Sequence, residues 1–145
     1  NSMQITLLEA IDIINFLISE NRINSDLKFQ LQETIKIFRL DQMNGTGKTS
    51  IRKTYTCPFF ANEAKGCSIS RNSKPIGCLG FNPVEKNITN GGSCKSNLTL
   101  LQIRESDFQS AENEINLQLK KELNIFWSKA PIPIAILETI EALDL

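Results

Sequence analysis

The chain has 145 residues, the length of one typical domain, and its 16 Lys and Arg residues balance its 16 Asp and Glu residues. It contains no histidine, which excludes a His general base, a Ser-His-Asp triad, a Cys-His pair and a Cys₂His₂ zinc site. The zero net charge gives no reason to expect nucleic acid or an anionic membrane as a partner. We expect a single domain over residues 1–145.

Two helices are predicted in the N-terminal part of the chain. Residues 6–20 begin with a capping box, in which Thr6 is the N-cap and Glu9 reaches back to it. Residues 25–43 form the second helix, capped by Asn24 or Ser25, and the short connection favours an antiparallel helical hairpin. The apolar stripes at helical spacing are Leu7, Ile11, Ile14 and Ile18, and then Leu27, Leu31, Ile35 and Phe38, with Leu40 beyond.

Two C-terminal helices are predicted over residues 106–127 and 133–143. Pro131 and Pro133 break the apolar pattern between them, and Pro133 suits the first turn of the last helix, where a missing N–H costs least. The apolar faces are Phe108, Ala111, Ile115, Leu119, Leu123 and Phe126, and then Ile136, Ile140 and Leu143. The ends of the chain therefore predict a mainly α fold, a small helical domain of packed apolar stripes.

The central residues 45–94 differ from both ends in composition. They hold seven basic and two acidic residues, a net charge of +5 that the rest of the chain cancels with −5. All seven glycines and all four cysteines also lie here. Helical periodicity is lost, and short strands are predicted near residues 51–55 and 76–81. We expect an irregular Gly/Pro/Cys-rich segment, organised around a four-cysteine site and held between the helical ends.

The sequence favours a cytoplasmic protein. No run reaches the roughly 18 consecutive apolar residues that a membrane helix needs. The start, Asn1-Ser2-Met3, lacks the basic and apolar regions of a signal peptide and fits the remnant of a tag before an initiator methionine. We therefore expect neither a membrane nor a nucleic acid as partner. In the cytoplasm cysteines are usually reduced or metal-bound.

The four cysteines are Cys57, Cys67, Cys78 and Cys94, separated by nine, ten and fifteen residues. None of these spacings is the C-x₂-C pattern that identifies a zinc knuckle. The spacing alone leaves open a shared site of four thiolates, two disulfides, buried free thiols, or a mixture. A thiolate site would select Zn²⁺, an Fe–S cluster or Cu(I) over hard cations.

Aromatic residues flank the first cysteine. Tyr55 precedes Cys57 by two positions, and we expect it to pack in the core rather than against a metal. Phe59, Phe60 and Phe81 would form an apolar shell that limits the access of solvent to the site, and an ordinary hydrophobic core is equally consistent with their positions.

The residues around the cysteines match a family pattern. The chain reads Cys57-Pro58-Phe59-Phe60, then Gly66-Cys67-Ser68-Ile69, then Lys74-Pro75-Ile76-Gly77-Cys78-Leu79-Gly80-Phe81, with Cys94 further on. This resembles the cysteine-cluster family of zinc- or iron-chelating domains (YkgJ-like, CxxCxxCC type), whose members show C-P-F/L-L, C-x-I-Y and R-P-x-x-C-R-x-F/Y. Residues 5–10 and 131–138 are also similar to helices of that family.

The resemblance implies that the four cysteines are metal ligands. The early C-x-x-C-C cluster of the family is absent from this sequence, and Ser70, Lys74 and Leu79 stand where a tyrosine and two arginines are usual. An arginine beside a ligand would donate charge-assisted hydrogen bonds, which Leu79 cannot do. The chain thus resembles a divergent member that keeps thiol donors and lacks these arginines.

Together these features predict a metal-binding protein that holds one [4Fe–4S] cluster or one Zn ion, with a redox or metal-handling role. A zinc site of four cysteines would be closed and structural, whereas a cluster would indicate electron transfer or redox sensing. No catalytic acid, base or nucleophile can be named, so an enzymatic role is not favoured. The alternative is a non-catalytic helical interaction domain that is stapled by disulfides or has lost the metal site. An unknown protein partner is compatible with both.

Overall fold

The computed structural model describes residues 3–43, 54–60, 66–79, 81–83, 94–96 and 98–145. Within these ranges the protein is mainly helical, as predicted. The helices are α1 (Leu7–Ser19), α2 (Ser25–Phe38), α3 (Ile76–Leu79), α4 (Leu98–Ile103), α5 (Gln109–Glu122) and α6 (Ile132–Ala142). Two antiparallel ribbons pair β1 (Gln4–Ile5) with β4 (Ala130–Pro131), and β2 (Phe81–Pro83) with β3 (Cys94–Ser96). None of the helices in the described ranges has both the length and the apolar character to cross a bilayer.

Helix α1 begins with the predicted capping box. The Thr6 hydroxyl accepts a hydrogen bond from the backbone N–H of Glu9 at 3.4 Å, and the Glu9 carboxylate accepts one from the backbone N–H of Thr6 at 2.9 Å. These two bonds satisfy N–H groups that have no partner within the helix. The capping prediction for residues 6–20 is confirmed.

Helix α2 also begins as predicted but ends earlier. Asn24 is its N-cap and accepts the N–H of Leu27 at 2.9 Å. Arg39 adopts a left-handed backbone conformation, with φ of 50°, and this ends the helix at Phe38. The predicted helix over residues 25–43 therefore continues only as a 3₁₀ turn, Leu40–Met43.

The buried face of α1 is rotated from the predicted stripe. Ile11 is half-buried and Ile18 is exposed, whereas Ala10 and Leu17 are fully buried. Because α1 carries leucine or isoleucine on several faces, helical spacing admits more than one stripe, and packing selects among them. The buried residues of α1 are Leu7, Ala10, Ile13, Ile14 and Leu17.

The last helix, α6, lies at the centre of the core. It is the main packing partner of both α1 and α2, the two helices predicted as a hairpin. Its bounds match the predicted helix over 133–143 within a residue, and Pro133 lies in its first turn. Its buried residues are Ile132, Pro133, Ala135, Ile136, Leu137, Thr139 and Ile140.

Tyr55 fastens the central part of the chain to the β1–β4 ribbon. Its side chain is buried in the core, as predicted. The hydroxyl donates a hydrogen bond to the carbonyl oxygen of Met3 at 2.7 Å and accepts one from the N–H of Ile132 at 3.0 Å. Tyr55 thus joins the beginnings of β1 and α6.

The predicted strand at residues 76–81 is wrong for most of its length. Ile76–Leu79 forms the short helix α3, and the strand β2 begins only at Phe81. Pro75 explains the helix, since its carbonyl accepts the N–H groups of Cys78 and Leu79 and closes the turn. Of the other predicted strand, residues 51–53 lie outside the described residues, and residues 54–55 have no regular structure.

The helix predicted over residues 106–127 is part of a longer run. It begins at Leu98 with α4, passes through a π-helical turn at Arg104–Phe108, and ends with α5 at Glu122. The predicted apolar face is wrong, because Phe108, Ala111, Ile115 and Phe126 are exposed and Leu119 and Leu123 are only partly buried. The buried residue of α5 is instead Asn116.

Candidate metal centre

Cys57 lies between two aromatic anchors. Tyr55 and Phe59 are each 3% exposed and belong to the hydrophobic core. The carbonyl of Cys57 accepts the N–H of Phe60 at 3.0 Å and forms a turn around Pro58. The core therefore fixes the backbone on both sides of this thiol.

Cys67 lies beside the same turn. It forms an isolated antiparallel bridge with Phe60, and the N–H of Ser68 donates to the carbonyl of Phe59 at 2.8 Å. Arg22 donates to the carbonyl and to the hydroxyl of Ser68, both at 2.9 Å. These contacts hold the segments of Cys57 and Cys67 side by side.

Cys78 is carried by the four-residue helix α3. The Glu9 carboxylate accepts the backbone N–H of Ile76 at 3.0 Å and so caps this helix from α1. Gly77 lies directly against Met3, because an added Cβ would come within 2.5 Å of the Met3 sulfur. Cys78 is thereby attached to the N-terminal end of α1.

Glu9 is held in turn by a cation from the C-terminal part of the chain. Arg104 lies 3.3 Å from the Glu9 carboxylate and 2.8 Å from that of Glu112, and the Arg104 and Glu9 side chains are only 15% and 13% exposed. The capping role of Glu9 could be read from the sequence. Its contacts with Ile76 and Arg104 join residues 67 and 95 positions away, and no local sequence signal points to them.

The three described cysteine side chains, of Cys57, Cys67 and Cys78, are half-buried free thiols that pack against the core. Burial raises the pKa of Cys57 to about 11, and the nearby Cys67 adds to the increase. Burial raises the pKa of Cys78 to about 12, with further increases from Cys57 and Cys67. The three thiols are thus close enough for their charges to repel one another.

The structure does not bring these three sulfurs into a formed metal site. Within the described ranges, no three Cys, Asp or Glu residues are grouped so that they could hold a metal ion. Two charges repel one another over distances much longer than the ~2.3 Å of a zinc–sulfur bond. The three thiols can therefore affect one another's pKa without lying close enough together to bind one metal ion. For Cys94 the structure describes the backbone in β3, opposite Pro83, and not the side chain.

Of the residues predicted to form an aromatic shell, Phe59 is buried in the core and Phe60 is 43% exposed. The side chain of Phe81 lies outside the described residues.

Comparison of the chain with protein-family models, with curated proteins and with solved structures finds no match. The resemblance to the cysteine-cluster family therefore rests on the quoted residues of this sequence, chiefly those between positions 57 and 82.

Proposed function

We propose that this chain is a cytoplasmic metal-binding protein that holds one Fe–S cluster or one Zn ion through Cys57, Cys67, Cys78 and Cys94. The observation that supports this function is that three half-buried thiols pack against the same core, close enough for their negative charges to repel one another. A bound cation would replace that repulsion with attraction. Its role would be redox or metal handling.

The donor chemistry narrows the choice of metal. Four thiolates suit Zn²⁺ or an Fe–S cluster and disfavour hard cations such as Mg²⁺. Either centre with four thiolates carries a net charge of about −2. The excess of basic residues in residues 45–94 would offset this charge, so the basic segment does not require a nucleic acid as partner.

Binding of the metal would be coupled to a change in the protein. The thiols must lose their protons to become ligands, and the described part of the chain does not hold three of them in a ready coordination group. Part of the binding free energy would then be used to order the cysteine segments. We expect the metal-loaded protein to be more stable than the metal-free protein.

Elemental analysis and visible absorption of protein purified without oxygen test the proposal. We expect about one metal centre per chain, brown if it is an Fe–S cluster and colourless if it is zinc. Serine substitution of any one of the four cysteines should remove most of the metal. Thr56→Ala, next to Cys57 and exposed, is the matched control and should keep it.

The absence of both zinc and iron from the anaerobic protein would overturn this proposal. Mass spectrometry without reducing agent then separates the alternatives. Two disulfides would indicate the stapled interaction domain, and four free thiols would indicate a relative that has lost the metal site.

A further inference from the structure

The Glu9 carboxylate connects three segments that are far apart in the chain. One of its oxygens accepts the N–H of Thr6 at the start of α1, at 2.9 Å. The other oxygen accepts the N–H of Ile76 in α3 at 3.0 Å and lies 3.3 Å from the guanidinium of Arg104. The side chain of Glu9 is only 13% exposed, so water has little access to compete for these bonds.

Helix α3 depends on contacts of this kind. It has four residues, and a single helical turn is not stable in water by itself. The bond from Ile76 to Glu9 ties its first residue to α1, and Gly77 lies against Met3. Cys78 follows these two residues directly, so the position of its thiol depends on how α3 is held.

Arg104 fixes the orientation of the Glu9 carboxylate. Its guanidinium lies between the carboxylates of Glu9 and Glu112, and its side chain is 15% exposed. Charge-assisted hydrogen bonds in a site with little water are strong and directional. The cation therefore keeps the carboxylate in the orientation that reaches the N–H of Ile76.

The charge of Glu9 and its position have opposite effects on the nearest thiol. Burial, Cys57 and Cys67 raise the pKa of Cys78. The negative charge of Glu9 adds to this increase and so opposes formation of the thiolate. A benefit of Glu9 for metal binding must therefore come from where it holds α3.

We infer that Glu9 is a positioning residue of the metal centre, which holds the segment of Cys78 beside the other thiols through its bond to the N–H of Ile76. This inference rests on the proposed function and adds to it a residue that is not a ligand. The described thiols do not form a ligand set, so part of the chain must be ordered when a metal binds. An anchored α3 leaves less of the chain to be ordered, which raises the affinity.

Two substitutions of Glu9 separate its position from its charge. Glu9→Asp keeps a charge for Arg104 but is one methylene shorter and should not reach Ile76. Glu9→Gln keeps the length and loses the charge. Its oxygen should face Ile76 and Arg104, which both donate. Its amide group should face the Thr6 hydroxyl, which lies 3.3 Å from the carboxylate and can accept a hydrogen bond.

Titration of reduced, metal-free protein with Co²⁺ alone, without oxygen and in competition with a chelator, tests the inference, because thiolate ligands give Co²⁺ a strong charge-transfer absorption. We expect Glu9→Asp to bind Co²⁺ about tenfold more weakly than the wild type, and Glu9→Gln to stay within about threefold of it. Glu20→Asp makes the same change at an exposed position at the other end of α1 and should have no effect.

A substitution in α3 tests the same bond from its other side and leaves the bonds of Glu9 to Thr6 and Arg104 intact. Ile76→Pro removes the donor N–H, and proline is tolerated at the first position of a helix. It should weaken Co²⁺ binding about as much as Glu9→Asp does, by about tenfold. Ile76→Ala, which keeps the N–H, is the control and should bind more tightly than Ile76→Pro.

Equal affinities of Glu9→Asp and the wild type would overturn this inference and leave the proposed function intact. So would a Glu9→Gln variant that binds as weakly as Glu9→Asp, or an Ile76→Pro variant that binds as tightly as Ile76→Ala. A wild-type protein that binds no Co²⁺ through its thiolates would overturn the proposed function, and this inference with it.

Discussion

Helices α1 and α5 have apolar residues at the same spacing, yet they use them in opposite ways. Helix α1 buries its leucines and isoleucines against α6. Helix α5 also packs on α1, but its buried residue is the polar Asn116, and its Ala111, Ile115 and Leu117 are exposed. The difference shows that an apolar repeat establishes a helix without establishing which neighbour each face will meet.

The first turn of α1 explains the orientation of α5. N–H groups at the start of a helix have no partner within it and need acceptors from elsewhere. The side-chain oxygen of Asn116 accepts the N–H of Leu8, and its amide group donates to the carbonyl of Glu112 at 2.7 Å. The unsatisfied end of α1 therefore attracts the polar side of α5, and the apolar side is left facing away.

The largest expected difference in stability is between a substitution in the buried apolar face of α6 and one in the exposed apolar face of α5. Ile136→Ala in the fully buried part of α6 should lower the free energy of unfolding by about 4 kcal/mol, because it leaves a cavity between helices. Ile115→Ala, at an exposed position of α5, should lower it by about 0.5 kcal/mol. Urea denaturation measures both values. Equal losses would show that the outward stripe of α5 is part of the core.

A smaller loss is expected at the ion pairs between α1 and the π-helical turn. Arg104→Met leaves the Glu9 and Glu112 carboxylates largely buried without their cation, and we expect a loss of about 3 kcal/mol. Lys121→Met, at an exposed position on α5, is the control and should change stability little. The same denaturation experiment measures both variants. A loss of stability for Arg104→Met no larger than that for Lys121→Met would contradict a stabilising role for these ion pairs.

The smallest expected effect concerns the single hydrogen bond between the N–H of Leu8 and the side chain of Asn116. Asn116→Leu leaves the N–H of Leu8 without its acceptor and should cost about 2 kcal/mol, although leucine is the more apolar residue. Asn113→Leu, one turn away and exposed, should be nearly neutral. Stabilisation of the protein by Asn116→Leu would contradict the role assigned to this hydrogen bond.

Much of the helical architecture could be predicted because its signals are local. The capping box of Thr6 and Glu9, the Asn24 cap and the proline-led start of α6 each depend on residues within one turn. The predictions are wrong where the sequence carries no clear local signal for the structure that forms. The π-helical turn has no sequence signature, and the turn at Pro75 forms a short helix in a segment whose glycines obscure any pattern.

For the candidate site, the sequence shows which residues are candidate metal ligands, but it does not show which residues surround them. The cysteine types and positions can be read directly from the sequence. That Glu9 caps α3, or that Tyr55 fastens the loop of Cys57 to Met3 and Ile132, depends on contacts between segments far apart in the chain. These contacts position the segments that carry Cys57 and Cys78.

The central place of α6 also has a consequence for folding. Residues 132–142 supply the surface on which α1 and α2 pack, although those helices are synthesised more than 90 residues earlier. Contacts so distant in sequence slow folding. Until α6 has left the ribosome, the apolar residues of α1 and α2 lack their main partner, so the nascent chain exposes apolar surface during its synthesis.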